Sequence, residues 1–580
     1  MSKQIKPAPA SNPPAAQSGV SGPITHAAIY PPIGVARVGN SPAESFYGPE
    51  VPNPDPQPIS FYRDSHGALK RQAARFRIYG LNAAGEAVAE LTAANAEIEW
   101  TVHLANKKAA WYQFHMALDS PGAGSAPPSL LRNSAVCDRK RLTIDPGPKT
   151  IRALKHPSQA VACEGMFMGI DVYLGEILTD RAGRLVVLGG RGRAGSAYNA
   201  NVIIDVNNDG WYDDTSDGPV TAKVTFQGEE LPVDPAWVIV APPNYAPNRK
   251  SVRTMWDVMR NTAHDPNDPK APPLHASFEN DIRPIFERLS GLQWVNAGFA
   301  AAFGWRGPLN LAEPAMLERL SRNDPGEQDL RRFIAGQFRR FDRDSISYSP
   351  WPWLWGDEYI EPPLSPQAFS TLTETQLLCL DSWVDGTFVN DYVPTPAPLP
   401  GQLPVSDEIK LAALPIQQQP HALTRAAMEF CVADAFHPGI ELTWPMRQKN
   451  MYMAPFRIRH APAGWVEPDY GPQLLYEYTT RADGPIFLMV PGGLTRWLAV
   501  PWQADTAACG SSQDVYSPYL PTFWPARVPD QVLTEDQYAI VMDTTRSLPD
   551  RIAAFATRTD WLRKITGHYY EHVNEIVRGF

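Results

Sequence analysis

A carboxylate and a thiol stand four residues apart in the segment of this sequence that is best equipped for chemistry. The segment reads W-Q-A-D-T-A-A-C-G-S-S from Trp502, and its reactive residues are Asp505 and Cys509. A cysteine becomes a nucleophile when a neighbouring base takes its proton, yet no histidine is close in the sequence. Spacing alone therefore favours a structural loop of small residues, flanked by tryptophans, over a nucleophilic site.

An acidic loop that begins at Asp205 has the spacing of a calcium-binding loop. Asn207, Asp209 and Asp213 continue the series of oxygen-bearing side chains at positions 3, 5 and 9, with glycine at position 6. Ser216 stands where an EF-hand needs a bidentate glutamate, and strand-like segments flank the loop. These departures favour a hairpin connection rich in Asn, Asp and Gly, while calcium binding stays open.

The end of the chain has the H-x-x-E-H arrangement of zinc peptidases, formed by His568, Glu571 and His572. On a helix, the two histidines would share one face and the glutamate could act as a base. Such a site also needs a third ligand, usually well downstream, and only eight residues follow. We therefore expect an aromatic terminal helix and no metal site.

Cys431 and His437 are further candidates, and the histidine belongs to a loop that reads F-H-P-G-I-E. A lone cysteine at a helix end is most often a small apolar residue of the core. A histidine before Pro-Gly usually satisfies loop backbone. Nothing in the local sequence makes either residue catalytic.

Alternating apolar residues predict β structure in the first half of the chain. Ile98, Trp100 and Val102 have the period-2 pattern of a half-buried strand. The same reasoning predicts further strands at 76–78, 202–204, 220–226 and 237–241. A stretch rich in Pro, Gly and Ser over residues 117–150 predicts a long surface loop.

The middle of the chain has helical patterns. Helices are predicted over 328–340 and 374–384, the second ending at Gly386 as its C-cap, with Cys379 on its apolar side. Thr534 and Gln537 form a plausible capping box for a later helix. The Pro-rich passage 393–404 is the best candidate for a linker.

We predict an α+β fold with a β-rich N-terminal half, a helical middle and a mixed C-terminal region. Residues 1–23 read as a disordered Pro/Ala/Ser tail, and 24–250 as a β-rich domain. Residues 251–400 form the mainly helical region, and 401–580 carry Asp505 and Cys509.

Composition excludes several classes of function. The net charge of −10 argues against nucleic-acid binding, which needs a basic face. No apolar run reaches the roughly 18–20 residues of a membrane helix, and the N-terminus lacks the apolar core of a signal peptide. The five cysteines show no C-x-x-C and are widely spaced, so we expect neither a disulfide framework nor a zinc ribbon, and a cytoplasmic location.

Several of these segments together resemble one family. The run from Trp502 to Cys509, followed by L-P-T-F-W-P-A-R-V-P at 520–529, is similar to the cofactor-bearing segment of the LodA-like and GoxA-like oxidases. These are the quinoproteins of the lysine ε-oxidase and glycine oxidase family. The stretches 30–42, 208–220 and 436–441 also look like family segments, so the resemblance spans about residues 24–565.

The resemblance implies a cysteine tryptophylquinone, a cofactor made from the chain itself. In this family a cysteine is joined to a later tryptophan by a thioether and the indole is oxidised to an ortho-quinone. Cys509 is the implied cysteine, and Trp524 is the preferred partner because it lies inside the matching stretch. Trp561 is the alternative. Asp505 has the spacing of the family's aspartate that assists cofactor formation, and we choose it as catalytic base.

The implied activity is oxidative deamination of a primary amine or amino acid with oxygen as acceptor. The products would be an aldehyde or keto acid, ammonia and hydrogen peroxide. The family also implies a separate flavoprotein that matures the cofactor, and we expect a homo-oligomer. Candidate pocket residues are Trp211, Tyr212, Cys431, His437, Tyr516 and Phe523.

Three other functions remain open on the sequence. A quinoprotein amine dehydrogenase would use the same cofactor with an external electron acceptor. A zinc hydrolase would use the H-x-x-E-H at 568–572. A non-catalytic β-rich binding protein would have the mass of its unmodified sequence and no visible absorbance.

Overall fold

A computed structural model describes most of this chain. The described residues are 22–113, 131–264, 274–340, 372–395, 403–433, 443–471, 474–511, 526–561, 574 and 576, with the backbone alone at 443–444 and 508–511.

A 14-stranded sheet dominates the first half, and its longest path runs β7-β6-β13-β16-β2-β4-β10-β9-β8. Three short two-stranded sheets accompany it. The strands are β1 (His26–Tyr30), β2 (Ile33–Arg37), β3 (Ser45–Tyr47), β4 (Arg71–Leu81), β5 (Ala87–Leu91), β6 (Glu97–Val102), β7 (Lys149–Arg152), β8 (Val161–Phe167), β9 (Ile170–Thr179), β10 (Leu185–Gly189), β11 (Ala194–Ser196), β12 (Trp211–Asp213), β13 (Ser216–Phe226), β14 (Glu229–Leu231), β15 (Val233–Asp234), β16 (Ala236–Ala241), β17 (Tyr452–Ala454), β18 (Arg457–Ile458), β19 (Gln531–Val532) and β20 (Thr559–Asp560).

Nearly all of the helices lie in the second half. They are α1 (Ile59–Tyr62), α2 (Met255–Ala263), α3 (Arg283–Gly291), α4 (Ala297–Phe303), α5 (Pro314–Leu320), α6 (Gln328–Ala335), α7 (Glu374–Asp385), α8 (Asp407–Ala413), α9 (Gln419–Glu429), α10 (Thr443–Met446), α11 (Tyr476–Thr479), α12 (Trp502–Ser511), α13 (Glu535–Met542) and α14 (Leu548–Ala556). The chain is thus α+β with one large sheet. None of the helices in the described ranges is long and apolar enough to cross a membrane.

Periodicity predicted β6 correctly. Ile98, Trp100 and Val102 are buried on one face of the strand while the residues between them are more exposed. The strand pairs antiparallel with β13, where Val102 lies opposite Val220. The predicted strands around 76–78, 220–226 and 237–241 are also confirmed, as parts of β4, β13 and β16.

The predicted strand at 202–204 is wrong. Asn208 takes the place of a partner strand, because its side-chain Oδ1 accepts the backbone N–H of Ile203 and its Nδ2 donates to the carbonyl of Ile204. The backbone polar groups are therefore satisfied locally, and Ile203 is 80% exposed.

Helix α7 confirms its prediction, including the left-handed Gly386 at its C-cap with φ 73°. Cys379 is buried in the core. Thr534 and Gln537 form the expected capping box of α13. Helix α6 is shorter than predicted and ends at Ala335, before Gly336, since glycine is a poor helix former.

The sheet and the helices share one core. A single apolar cluster joins Val238 of the sheet, Phe286 of α3, Trp383 of α7 and Trp502 of α12. The first two turns of helix α12 therefore lie in the interior. The division into regions at 250 and 400 stays a prediction.

Candidate active site

Residues 502–511 form helix α12 and not the loop that the sequence predicted. Alanines favour a helix, and Asp505 in the first turn interacts favourably with the helix dipole. The helix begins where the backbone N–H of Trp502 donates to Oδ2 of Asp213 (2.9 Å). A carboxylate at this end satisfies a backbone donor that the helix itself cannot. Positions 505 and 509 are thereby one turn apart.

The first two turns of α12 are inside the protein. Every residue from Pro501 to Ala507 is buried, and Asp505 is 3% exposed. A carboxylate is costly to bury without compensating charges or hydrogen bonds. The surroundings of Asp505 therefore decide its chemistry.

The acidic loop that begins at Asp205, which has the spacing of a calcium site, is hydrogen-bonded to Val500, just before α12. The backbone N–H of Val500 donates to the carbonyl of Val206, and Nδ2 of Asn208 donates to the carbonyl of Val500, both at 3.0 Å. Within the part of the chain that the structure describes, no cluster of three or more His, Cys, Asp or Glu side chains could hold a metal ion. The favoured hairpin interpretation fits, because this loop connects the paired strands β11 and β12.

Arg132 joins the same segments. Its guanidinium donates to Oδ1 of Asn207 and to the backbone carbonyls of Lys108 and Leu498, at 2.8–3.0 Å. The side chain is 3% exposed. Three stretches that are distant in sequence are thus bonded together just before α12.

Asp213 is the centre of a buried polar network. Its Oδ2 accepts Nζ of Lys108 (2.5 Å), and its Oδ1 accepts the hydroxyl of Thr215 (2.8 Å) and Nδ2 of Asn106 (3.2 Å). Both members of the Lys108–Asp213 ion pair are completely buried. Such a pair is costly to disrupt, because removal of one partner leaves an uncompensated charge.

Lys108 also interacts electrostatically with Asp505. Burial lowers the pKa of Lys108, while the charge of Asp213 and, more weakly, that of Asp505 oppose this shift. A cation near Asp505 favours the ionised carboxylate. Sequence reasoning missed Lys108, since nothing in its neighbours distinguishes it from a surface lysine.

Asp214 is a second buried carboxyl beside α12. Burial raises its pKa to about 7; the backbone N–H of Arg193 opposes the shift, and the negative charge of Asp213 adds to it. That N–H donates to Oδ2 of Asp214 at 2.8 Å. A carboxyl that exchanges its proton near neutral pH is a functional candidate, and sequence reasoning missed it too.

Asp217 attaches a further segment. Its carboxylate accepts the backbone N–H groups of Leu494 and Thr495, the Thr495 hydroxyl and the indole N–H of Trp237. Together, the D-D-T-S-D run at 213–217 bonds to both ends of the segment 494–502. The tertiary structure therefore brings two of the sequence segments that resemble the family into direct contact.

Strand β12 separates the two aromatic pocket candidates. Trp211 belongs to a small buried cluster with Val500 and Ala504, so it lies against α12. Tyr212 packs on the ring of Phe167 instead, with centroids 5.3 Å apart. Consecutive residues of a strand point to opposite faces, and so only Trp211 is brought to the helix.

Cys431 follows the end of α9 and is buried. Its thiol sulfur accepts Nη2 of the buried Arg37 at 3.7 Å, and its S–H donates to the carbonyl of Ala427. Trp561, the alternative quinone residue, packs on the ring of Tyr245 with centroids 4.7 Å apart. Its backbone N–H donates to the backbone carbonyl of Asp530.

The remaining site predictions lie outside the described residues. They are the side chain of Cys509 and residues His437, Tyr516, Phe523, Trp524, His568, Glu571 and His572.

Known proteins match this chain over most of its length. The L-lysine epsilon oxidase N-terminal family matches residues 30–240, and the L-lysine epsilon oxidase C-terminal domain matches 355–524. The L-lysine 6-oxidase of Marinomonas mediterranea is 28% identical over 556 residues, which cover 83% of this chain and 70% of that protein.

Solved structures give the same fold. The ε-lysine oxidase of Marinomonas mediterranea aligns with a TM-score of 0.67 at 23% identity, over 95% of this chain and 92% of that one. The Schiff base intermediate of the L-Lys ε-oxidase of that organism with L-Lys aligns with a TM-score of 0.65 at 22% identity, over 95% and 91%. The architecture, with α12 in its interior, is that of the ε-lysine oxidase fold.

Both halves of that fold are matched by sequence as well as by shape. The chain belongs to the LodA-like family. The resemblance that the segments at 30–42, 208–220 and 502–529 indicated is thereby confirmed.

Proposed function

We propose that this protein is an amino-acid oxidase that removes an amino group from a primary amine or amino acid, with oxygen as acceptor. The observation that carries the proposal is α12, a helix whose first two turns are buried and in which Asp505 stands one turn before Cys509, in a chain of the LodA-like family. The products are an aldehyde or keto acid, ammonia and hydrogen peroxide. The relative's L-lysine makes lysine the first substrate to test.

The cofactor in this proposal is a cysteine tryptophylquinone made from Cys509 and Trp524. The residue types fit the group: a cysteine follows a buried carboxylate by one helical turn, and a tryptophan follows downstream. The match to the C-terminal domain ends at residue 524, so it includes both residues and stops before Trp561. Such a quinone supplies an electron sink for the two electrons of amine oxidation.

Asp505 is the base in this proposal. Its carboxylate takes the proton from the carbon that bears the amino group, and Lys108 favours the ionised form that can do so. Trp211 contributes an apolar wall next to the helix that carries the base. A separate flavoprotein that matures the cofactor, and assembly into a homo-oligomer, complete the proposal.

One preparation tests the proposal. The protein is produced together with its flavoprotein partner, and its intact mass, visible absorbance and peptide map are recorded. We expect a peptide that joins Cys509 to Trp524 and carries two added oxygens. A free, alkylatable Cys509 in active protein would contradict this, and a link to Trp561 would reassign the partner.

The same preparation separates the competing functions. Peroxide that forms with lysine or another primary amine and oxygen alone supports the oxidase. Reduction of the quinone without peroxide, until an external acceptor is added, would indicate a dehydrogenase. An intact mass equal to that of the unmodified sequence, with no visible absorbance, would indicate a binding protein. Bound zinc would favour the hydrolase that the H-x-x-E-H at 568–572 suggests.

A further inference from the structure

The buried face of α12 carries polar atoms with no hydrogen-bond partner among the residues that the structure describes. These are Nε1 of Trp502, Oε1 of Gln503 and Oγ1 of Thr506, in three residues that are completely buried. Buried polar groups are nearly always satisfied, by protein or by ordered water. A mixed set of one donor, one acceptor and one hydroxyl fits water, which both donates and accepts.

Asp214 lies beside the first turn of α12, next to Trp502. Its Oδ1 has no hydrogen-bond partner in the described part of the chain, although the residue is 1% exposed. Nε2 of Gln503 donates to the carbonyl of Gly192, and Oδ2 of Asp214 accepts the N–H of Arg193, the next residue. The indole N–H of Trp502 is close enough to lower the pKa of Asp214 without completing a normal hydrogen bond. The Asp214 carboxyl and the start of α12 therefore both contact one short loop, residues 190–193.

The loop leaves room for this carboxyl only because residue 190 is a glycine. A Cβ at Gly190 would lie 2.4 Å from Oδ2 of Asp214, far inside van der Waals contact. The backbone passes directly beside the carboxyl, which explains how the group is shielded from solvent.

Among the described residues, Asp214 has no cationic side chain as partner. The titratable groups that interact with it electrostatically are Asp213 and Tyr212, and the backbone of the exposed Arg193 donates to it. Of these, the negative charge of Asp213 raises the pKa of Asp214 further. Burial and this negative charge both favour the neutral, protonated carboxyl.

We propose that Asp214 is the proton-holding residue of the α12 site, and that water bound between Asp214, Trp502 and Gln503 exchanges a proton with it. The role in turnover rests on the proposed function. Near neutral pH a fraction of the molecules has Asp214 ionised. In these, after Asp505 takes the carbon-bound proton, the Asp505 carboxyl gives a proton to the water while the water gives one to the Asp214 carboxylate, and Asp505 is ionised again. Asp214 thus acts through Asp505 and not on the substrate.

Infrared spectroscopy tests the proton itself, with or without oxidase activity. In protein with aspartate labelled at the carboxyl carbon, we expect the band of a protonated carboxyl at pH below 7 that disappears above it. Asp214→Asn should remove this band, while the control Asp145→Asn, at a carboxyl that pairs with His103, should keep it. A band that persists in Asp214→Asn, or no titrating band in the wild type, would overturn the proposal.

Turnover tests the role. Asp214→Asn keeps the shape of the neutral carboxyl but cannot exchange its proton. We expect normal quinone content, a kcat lower by about 10²-fold, and loss of the pH dependence near neutrality. Gly190→Ala, which crowds the carboxyl, should change the rate in the same direction. Amine oxidation at the wild-type rate and pH profile in Asp214→Asn would overturn the role and leave the proposed function intact. A titrating band in a wild type that oxidises no amine would refute the proposed function alone.

Discussion

Asp505 is the residue on which the proposed chemistry depends. It lies in the first turn of α12, is 3% exposed, and interacts electrostatically with Lys108. A carboxylate in such surroundings can remove a proton from substrate, whereas an amide cannot. Its role is therefore testable by an isosteric change.

We expect Asp505→Asn to fold normally yet lose activity by about 10²–10⁴-fold, because general-base catalysis contributes that much. If the same carboxylate assists cofactor formation, the variant will also lack oxygen mass on the tryptophan. The measurements are the intact mass and the rate of peroxide release. Asp536→Asn is the matched control, since it changes an exposed carboxylate in the first turn of α13. A complete quinone with near-normal turnover would remove Asp505 from both roles.

Glu429 is a residue whose charge supports the fold. Burial alone would raise its pKa, but Lys250, Arg288 and Arg425 outweigh burial and hold the pKa at about 2. The three cations contact its carboxylate at 2.5–3.0 Å. A carboxyl whose folded-state pKa is lowered stabilises the protein above its unfolded pKa near 4.5 and loses this contribution as pH falls towards 2.

We therefore expect Glu429→Gln to lower the free energy of unfolding at pH 7 by about 3–5 kcal/mol, since it leaves buried cations unpaired. The difference between wild type and variant should shrink as pH falls from 4.5 towards 2. Urea unfolding at a series of pH values measures it. A difference that does not depend on pH would contradict the assignment.

At the scale of elements, the interaction that matters most joins strand β12 to the start of α12. Asp213 accepts both the N–H of Trp502 and the ammonium of Lys108, so one carboxylate caps the helix and neutralises a buried cation. The loop before β12 holds Val500 on the other side. Helix position and charge balance are coupled through this strand.

We expect Asp213→Asn to cost about 3–5 kcal/mol of stability, mainly because Lys108 is left unpaired. The double variant Asp213→Asn with Lys108→Met should recover much of that stability. It should not recover cofactor formation, because Lys108 no longer favours the ionised Asp505. Denaturant unfolding and quinone absorbance measure the two effects separately. Recovery of both would show that Lys108 matters only to the fold.

At the scale of the whole molecule, the proposed cofactor is made from the side chains of the protein. The described residues contain no group of three or more His, Cys, Asp or Glu side chains that could hold a metal ion. We expect prolonged dialysis against a chelator to leave peroxide release and thermal stability unchanged. Activity that falls with chelator and returns with zinc would direct attention to His568, Glu571 and His572.

Local patterns predicted those elements whose stabilisation is local. The alternation of Ile98, Trp100 and Val102 and the capping box of Thr534 and Gln537 depend on near neighbours in the chain, and the structure agrees. The strand at 202–204 failed because Asn208, a few residues on, satisfied the backbone there.

The sequence by itself determined the family and the Asp505–Cys509 spacing, because the motifs and their order along the chain can be recognised without the fold. Only the tertiary structure decided that the spacing lies on a buried helix and that the acidic loop holds its entrance. It also decided that Lys108 and Asp214 stand beside it. These groups are hundreds of residues from α12 in the chain, and their burial and proton affinity arise only when distant segments exclude water together.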